Sequence, residues 1–283
     1  MSFYRIIVRL LIFTFLSTAV FPLCAQTRSV GSFVVDETEF YAMTKQMSQF
    51  FSRFNNEEDQ FGKKYHPSSA DYRNNEKRKQ ILPLMFDLEN LRTTSALKDF
   101  FIEDLTTTKD SNYMEFLGGR WFAEVSSTFE FQGKTVTLVM ILKIEKEGLG
   151  SKWVLSNIYL PAFNKFFPTG ELVEREKHFL HPMSHELDFM NIYKAFKQPE
   201  VIEYYASKSF DPDYLTLFFY EVKLGHLKFV KIDNLKFHIF QIKDWYYEVS
   251  YFNRAGKNTG WLISNLMYVT ENEKESLIKF YEP

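Results

Sequence analysis

One short pattern occurs twice in this chain, and it constrains the fold more than any other feature. Trp153-Val-Leu-Ser-Asn-Ile-Tyr is echoed by Trp261-Leu-Ile-Ser-Asn-Leu-Met-Tyr. Trp, Ser and Asn are identical, and the positions between them stay aliphatic. Each copy follows a glycine turn, Gly148 to Lys152 in one case and Gly256 to Gly260 in the other. Each turn follows a strand-like run, Thr135 to Ile144 and Trp245 to Phe252. Strand, glycine turn and Trp-led strand reads as a β-hairpin in both places. The copies lie roughly 110 residues apart, a domain-sized spacing and far too long for a solenoid repeat. The pattern predicts a duplicated unit.

What precedes each hairpin has the same order. Asp36 with Glu39 makes a capping-box-like start, and Phe40, Met43, Met47, Phe50, Phe51 and Phe54 follow at helical spacing. Asn55 to Gln80 is polar and reads as a loop or a loop holding a short helix. Ile81 to Leu91 and Ser95 to Leu105 read as helical pieces. From Trp121 to Phe131 the period switches to two: Trp121, Ala123, Val125, Ser127, Phe129 and Phe131 share one face, and Glu124, Ser126, Thr128 and Glu130 the other. Pro161 to Met183 reads as a connection. Helices then return after Ser184 and Pro199, and Tyr214 to Leu224 fits helix and strand equally. Leu235 to Ile242, Trp245 to Phe252 and Trp261 to Val269 read as strands.

Helices followed by antiparallel strands, twice over, predict an α+β protein of two tandem domains. Each would pack its N-terminal helices on a curved antiparallel sheet. The expected boundaries are 33–165 and 184–283, with 166–183 as linker.

Residues 1–25 read as a signal peptide. Arg5 and Arg9 precede the short apolar run Leu10 to Val20, Pro22 breaks it, and Leu23-Cys24-Ala25 offers a cleavage site. The run is short for a membrane span, which needs about 20 residues. A periplasmic or secreted protein is expected; an uncleaved anchor or a lipid on Cys24 are the alternatives. Cleavage after Ala25 removes the only cysteine, so disulfides and cysteine–zinc clusters are not expected.

This order of elements, with the Trp153 and Trp261 strands closing each half, resembles the nuclear-transport-factor-two-like (cystatin-like α+β) superfamily. The resemblance implies a curved sheet around a conical pocket. That superfamily includes ketosteroid isomerase, scytalone dehydratase and many non-catalytic binding modules, so it does not choose a function.

Its enzymes place a buried acid or base in the cone, where its pKa moves towards neutrality. The strand positions here that offer such a group are Glu124, His238, Asp244 and Tyr247. His238 alternates with Lys236 and Phe240, which also fits a solvent-facing imidazole, and Glu124 shares its face with Ser126, Thr128 and Glu130. Trp121 and Trp245, at strand starts, are the aromatic residues expected to meet a ligand. The repeat Trp residues are expected to serve packing. Gly118-Gly119-Arg120 could cradle an anion or simply form a turn. His178, His181 and His185 are the one set with metal-ligand character, but Pro182 interrupts any helix that would align them.

Phosphate loops, dinucleotide fingerprints and Gly-x-Ser-x-Gly are missing from the sequence, so no cofactor is expected. With 34 basic against 36 acidic residues, the net charge of −2 argues against a nucleic-acid partner. The expectation is a non-catalytic binding or assembly module that takes a small apolar ligand, a peptide or an envelope protein. The alternatives are a cofactor-free acid/base enzyme (isomerase, dehydratase or hydrolase) and a structural subunit of an envelope complex.

Overall fold

The computed structural model describes residues 47–59, 61–107, 112–166, 193–197, 199–207, 210, 213–256 and 258–283. All of these described residues belong to one compact unit. The signal-peptide reading, Cys24 and the three candidate histidines at 178, 181 and 185 lie outside the described residues.

Six strands form one antiparallel sheet: β1 (Trp121–Phe131), β2 (Lys134–Glu147), β3 (Gly150–Tyr159), β4 (Leu227–Ile239), β5 (Trp245–Phe252) and β6 (Gly260–Tyr268). Their order across the sheet is β3-β2-β1-β4-β5-β6. Each half supplies a three-stranded meander, and the two meanders join through their first strands. Trp121 pairs with Ile239 and Phe131 with Leu227, so β1 and β4 run antiparallel along nearly their whole length. The duplicated pattern therefore produces two halves of one sheet, where two separate sheets were expected. Trp153 of β3 and Trp261 of β6 lie on the same face, with ring centroids 6.3 and 5.0 Å from Phe237 of β4.

The alternation read in β1 is the alternation observed. Trp121, Ala123, Val125, Phe129 and Phe131 are buried, whereas Glu124, Ser126 and Thr128 are half-buried. On the Trp121 face the sheet is covered by α1 (47–54), α2 (Asn75–Ile81) and α3 (Ser95–Thr107). Phe54 of α1 stacks on Tyr247 at 6.0 Å, and Phe101 of α3 meets Trp245 edge-on at 4.9 Å. Arg78 of α2 ties these helices together from inside. Its guanidinium donates to the carbonyls of Phe54, Leu105 and Asn112 at 3.1, 3.2 and 2.9 Å. Two of these carbonyls belong to the last turns of α1 and α3, where a cation complements the helix dipole. Ile81 to Leu91 is not one helix. A 3₁₀ turn, Leu82–Met85, leads into an extended segment in which Phe86 bridges Ile263 of β6. Pro83 sits in the first turn of this 3₁₀ element, where its missing N–H costs no hydrogen bond, and the chain turns extended only at Phe86.

Two short elements, α4 (Tyr193–Lys197) and the 3₁₀ turn Pro199–Tyr205, precede α5 (Tyr214–Lys223). Asp213 caps α5 by accepting from the N–H groups of Leu215 and Thr216, which settles the ambiguous Tyr214 segment as helix. Phe218 of α5 joins Phe129, Phe131 and Phe163 in a separate core at the far end of the sheet.

The opposite face carries α6 (Glu271–Tyr281). Thr270 and Glu273 form a capping box, and Glu271 and Glu273 lie at the positive end of the helix dipole. Ile278 and Tyr281 pack on Phe122, Ile141, Phe240 and Tyr246. Lys274 is buried and donates to the Ile242 carbonyl at 2.7 Å.

Candidate functional site

β4 sets His238 opposite Phe122 of β1 and Glu248 of β5, with Lys236 two residues earlier opposite Glu124. Side chains on one face of neighbouring strands meet directly or on the diagonal. Here the diagonal brings Glu124 to the imidazole: Oε2 lies 2.9 Å from His238 Nε2. Nδ1 faces two phenols, Tyr246 at 2.8 Å and Tyr281 of α6 at 3.0 Å. The Tyr246 hydroxyl donates to Glu248 Oε1 at 2.9 Å, and Asn265 donates to the same oxygen. Lys236 Nζ sits between the carboxylates, 3.3 Å from Glu124 and 3.7 Å from Glu248.

The partners dictate the protons. A carboxylate beside Nε2 requires the ring N–H there. In the neutral ring Nδ1 is then an acceptor. Tyr246 already gives its proton to Glu248, so Tyr281 is the hydroxyl that donates to Nδ1. Burial pushes the Glu124 carboxyl up, but the bonds from His238 and the charge of Lys236 outweigh it and hold the group below the usual range. Burial pushes the Tyr246 hydroxyl well up, with Tyr281 and Glu248 adding to it. Tyr281 is pushed up to about 12, again chiefly by burial. Both phenols are therefore donors and not bases at neutral pH.

A histidine between a carboxylate and a phenol is equipped for proton transfer. Access decides against that use in this arrangement. His238 is only 1% exposed, and Tyr281 closes the sheet face above it. The ring borders neither the cleft at the β6 edge nor the smaller cavity beside Gly119. As built, the cluster fastens α6 to the middle of the sheet, with Ser156 donating to the Tyr281 carbonyl and Asn157 to the Phe280 carbonyl at its C-terminal end.

The cleft at the β6 edge is the larger cavity, about 480 Å³. Phe50 and Arg53 of α1, Leu84 and Met85 of the 3₁₀ turn, and Trp261 and Leu262 of β6 are among the residues that wall it. Its volume lies in the range of small-molecule sites, and its mix of apolar wall and a few polar groups is typical of them. At one side Arg53 Nε donates to Glu58 at 3.0 Å, and the Glu58 side chain is 2% exposed. The Trp261 indole N–H is buried without a hydrogen-bond partner.

The smaller cavity, about 150 Å³, is bordered by Gly118 to Phe122, Lys143 and Glu282. Gly119 has φ +68°, and a Cβ there would lie 2.6 Å from Gln241 Cδ, so a larger residue would meet backbone strain and would displace the Gln241 side chain. Lys143 is paired with Glu282 at 2.6 Å and Arg120 with Glu275, so both cations already have anions. The glycine turn reading fits, and an anion cradle does not.

The sequence candidates separate accordingly. Glu124 and His238 are brought together, and His238 does not face solvent. Asp244 lies in the β4–β5 turn with φ +59°, its N–H bonded to Glu271. Tyr247 is on the other face, its hydroxyl 2.7 Å from Met114 Sδ. Trp121 and Trp245 are core residues whose indole N–H groups bond the Phe116 carbonyl and Asp104. Trp121 and Arg120 touch only the small cavity. Trp261, expected to serve packing, lines the larger one. Arg53, Glu58 and Leu84 of that cleft carry no motif, and they converge only through the fold. Among the described residues there is no group of three His, Cys, Asp or Glu placed to hold a metal, and no helix long and apolar enough to cross a membrane.

No family model matches the chain, and no curated protein or solved structure matches it either.

Proposed function

We propose that the protein is a non-catalytic binding module whose ligand seats in the cleft between β6, α1 and the Leu82–Met85 turn. The observation that carries this reading is the cleft itself: about 480 Å³, walled by Phe50, Leu84, Met85 and Trp261, with one charged pair at its side. We place it outside the cytoplasm, on the reading of residues 1–25. The two meanders are best explained as copies of one ancestral α+β unit, each of the size of a nuclear-transport-factor-two-like domain, that came to share a sheet. Native mass spectrometry of protein purified from its own envelope tests the binding reading. Wild type should carry a mass that Leu84→Glu lacks; Leu84 is 67% exposed, so the change reaches the cleft without disturbing the core. Equal loading of both proteins would refute it.

A second reading, acid/base catalysis, is favoured by the 2.9 Å His238–Glu124 contact alone. It requires α6 to leave the sheet, and a chain cut before Thr270 would then be the more active form.

A further inference from the structure

The β6 edge tells what kind of ligand the cleft takes. The N–H of Asp87 donates to the carbonyl of Ile263 at 3.0 Å, and Phe86 bridges the same residue in parallel. The backbone of Ile263 therefore points away from β5, towards the open edge. Trp261 lies two residues earlier, and the register between them is regular: Val249 pairs with Ile263 and Tyr251 with Trp261, the one irregularity falling beyond Ile263. Strand backbones repeat every two residues, so the N–H and carbonyl of Trp261 also face the edge. Beside Ile263 the extended segment starting at Phe86 occupies that edge. Beside Trp261 the same segment has turned away as the 3₁₀ turn Leu82–Met85, and the cleft fills the gap. Gly260, which also lines it, has nothing within 4 Å of where a Cβ would stand.

We infer that the cleft accepts an extended peptide segment of a partner protein, which pairs with Trp261 as an added strand and lays an apolar side chain on Phe50, Leu84 and Met85. This rests on the binding reading above and names its ligand. Strand addition supplies main-chain hydrogen bonds, and a pocket for alternate side chains supplies selectivity. Two observations favour a peptide over a compact small molecule. By the register, the N–H and carbonyl of Trp261 face the open edge at the spacing of a strand backbone. The edge already holds an extended segment at the adjoining residue, so an added strand continues an existing pairing.

The test is selection of octapeptides displayed on phage against the full chain, with Leu84→Glu as counter-target. An enriched peptide is then synthesised with a single N-methyl group at each backbone position in turn, which removes one N–H and keeps every side chain. The result expected is enrichment on wild type only, with methylation at alternate residues weakening binding by tenfold or more and methylation between them changing it little. Binding insensitive to methylation at every position overturns the strand inference. So does a failure to enrich any peptide while the apolar dye 1-anilinonaphthalene-8-sulfonate binds wild type and not Leu84→Glu; the binding reading then survives without a peptide. If neither peptide nor dye distinguishes the two proteins, both readings fall.

Discussion

Replacing Glu124 by Gln keeps the shape of the side chain and removes the one charge that faces the buried imidazole. The size of the effect follows from the contacts. Wild-type Glu124 accepts from His238 at 2.9 Å and from Lys236 at 3.3 Å, with its side chain 18% exposed. A hydrogen bond to a charged group contributes about 1.5–3 kcal/mol, and a neutral one about 1. Lys236 is half-buried and keeps Glu248 at 3.7 Å, so its share is at the low end. The substitution should cost about 1–2 kcal/mol at pH 7. The pH dependence has a definite sign. The folded-state pKa of Glu124 lies below its unfolded value, so the folded protein binds fewer protons at this site. Its stabilisation is complete above the unfolded carboxyl pKa of about 4.3 and is lost as pH falls through the folded value. The amide of the Glu124→Gln variant does not titrate and brings no such dependence. The gap between wild type and Glu124→Gln in urea unfolding, followed by circular dichroism, should shrink as pH falls below the unfolded carboxyl pKa of about 4.3. A variant as stable as wild type at pH 7, or a gap that persists undiminished to pH 3, would refute the assignment of charge to this cluster.

Three further outcomes follow from the same structure. Tyr281→Phe removes the hydroxyl that donates to His238 Nδ1 and should cost about 1 kcal/mol. Its amide exchange should rise in α6 and not in α3, and a uniform rise would contradict the fastening role of the cluster. Arg78→Met leaves the carbonyls of Phe54, Leu105 and Asn112 without their shared donor, and should lower stability by roughly 3 kcal/mol or more in the same urea assay; a near-neutral effect would mean that the three carbonyls find other donors. Gly119→Ala places a Cβ against Gln241 in a left-handed conformation and should cost about 1–3 kcal/mol, whereas Gly133→Ala, with open space around it, should show the backbone strain alone and cost less.

Much of the sheet is legible in the sequence. In β1 every second residue except Ser127 is apolar and the strand has no bulge of its own, so periodicity assigns the Trp121 face correctly. β4 is half hidden for a physical reason. Its register against β1 shifts twice, near Asn234 and Lys231, and a shifted strand no longer alternates in step. Only the regular part from Leu235 onward shows a pattern. The Thr270–Glu273 capping box that starts α6 also stands in the sequence, and without reading it the burial of His238 cannot be foreseen. Alternation places His238 with Lys236 correctly; what it omits is whether a helix lies on that face. The repeat announces two like units, yet nothing in a repeat says whether two edge strands meet. The cleft is hidden for the opposite reason to the strands: Phe50, Leu84 and Trp261 lie far apart in sequence and share no spacing.

The joining of the meanders has a consequence for how the chain comes into being. β1 is a central strand only once β4 is beside it, and β4 begins roughly a hundred residues later. During synthesis, which proceeds from the N-terminus, the first meander can form with β2 and β3 while the other side of β1 stays bare. That side is a long row of unpaired backbone groups, the kind of edge on which foreign strands add. The seam that unites the finished sheet is thus, for the interval between Phe131 and Leu227, the surface the nascent protein most needs shielded.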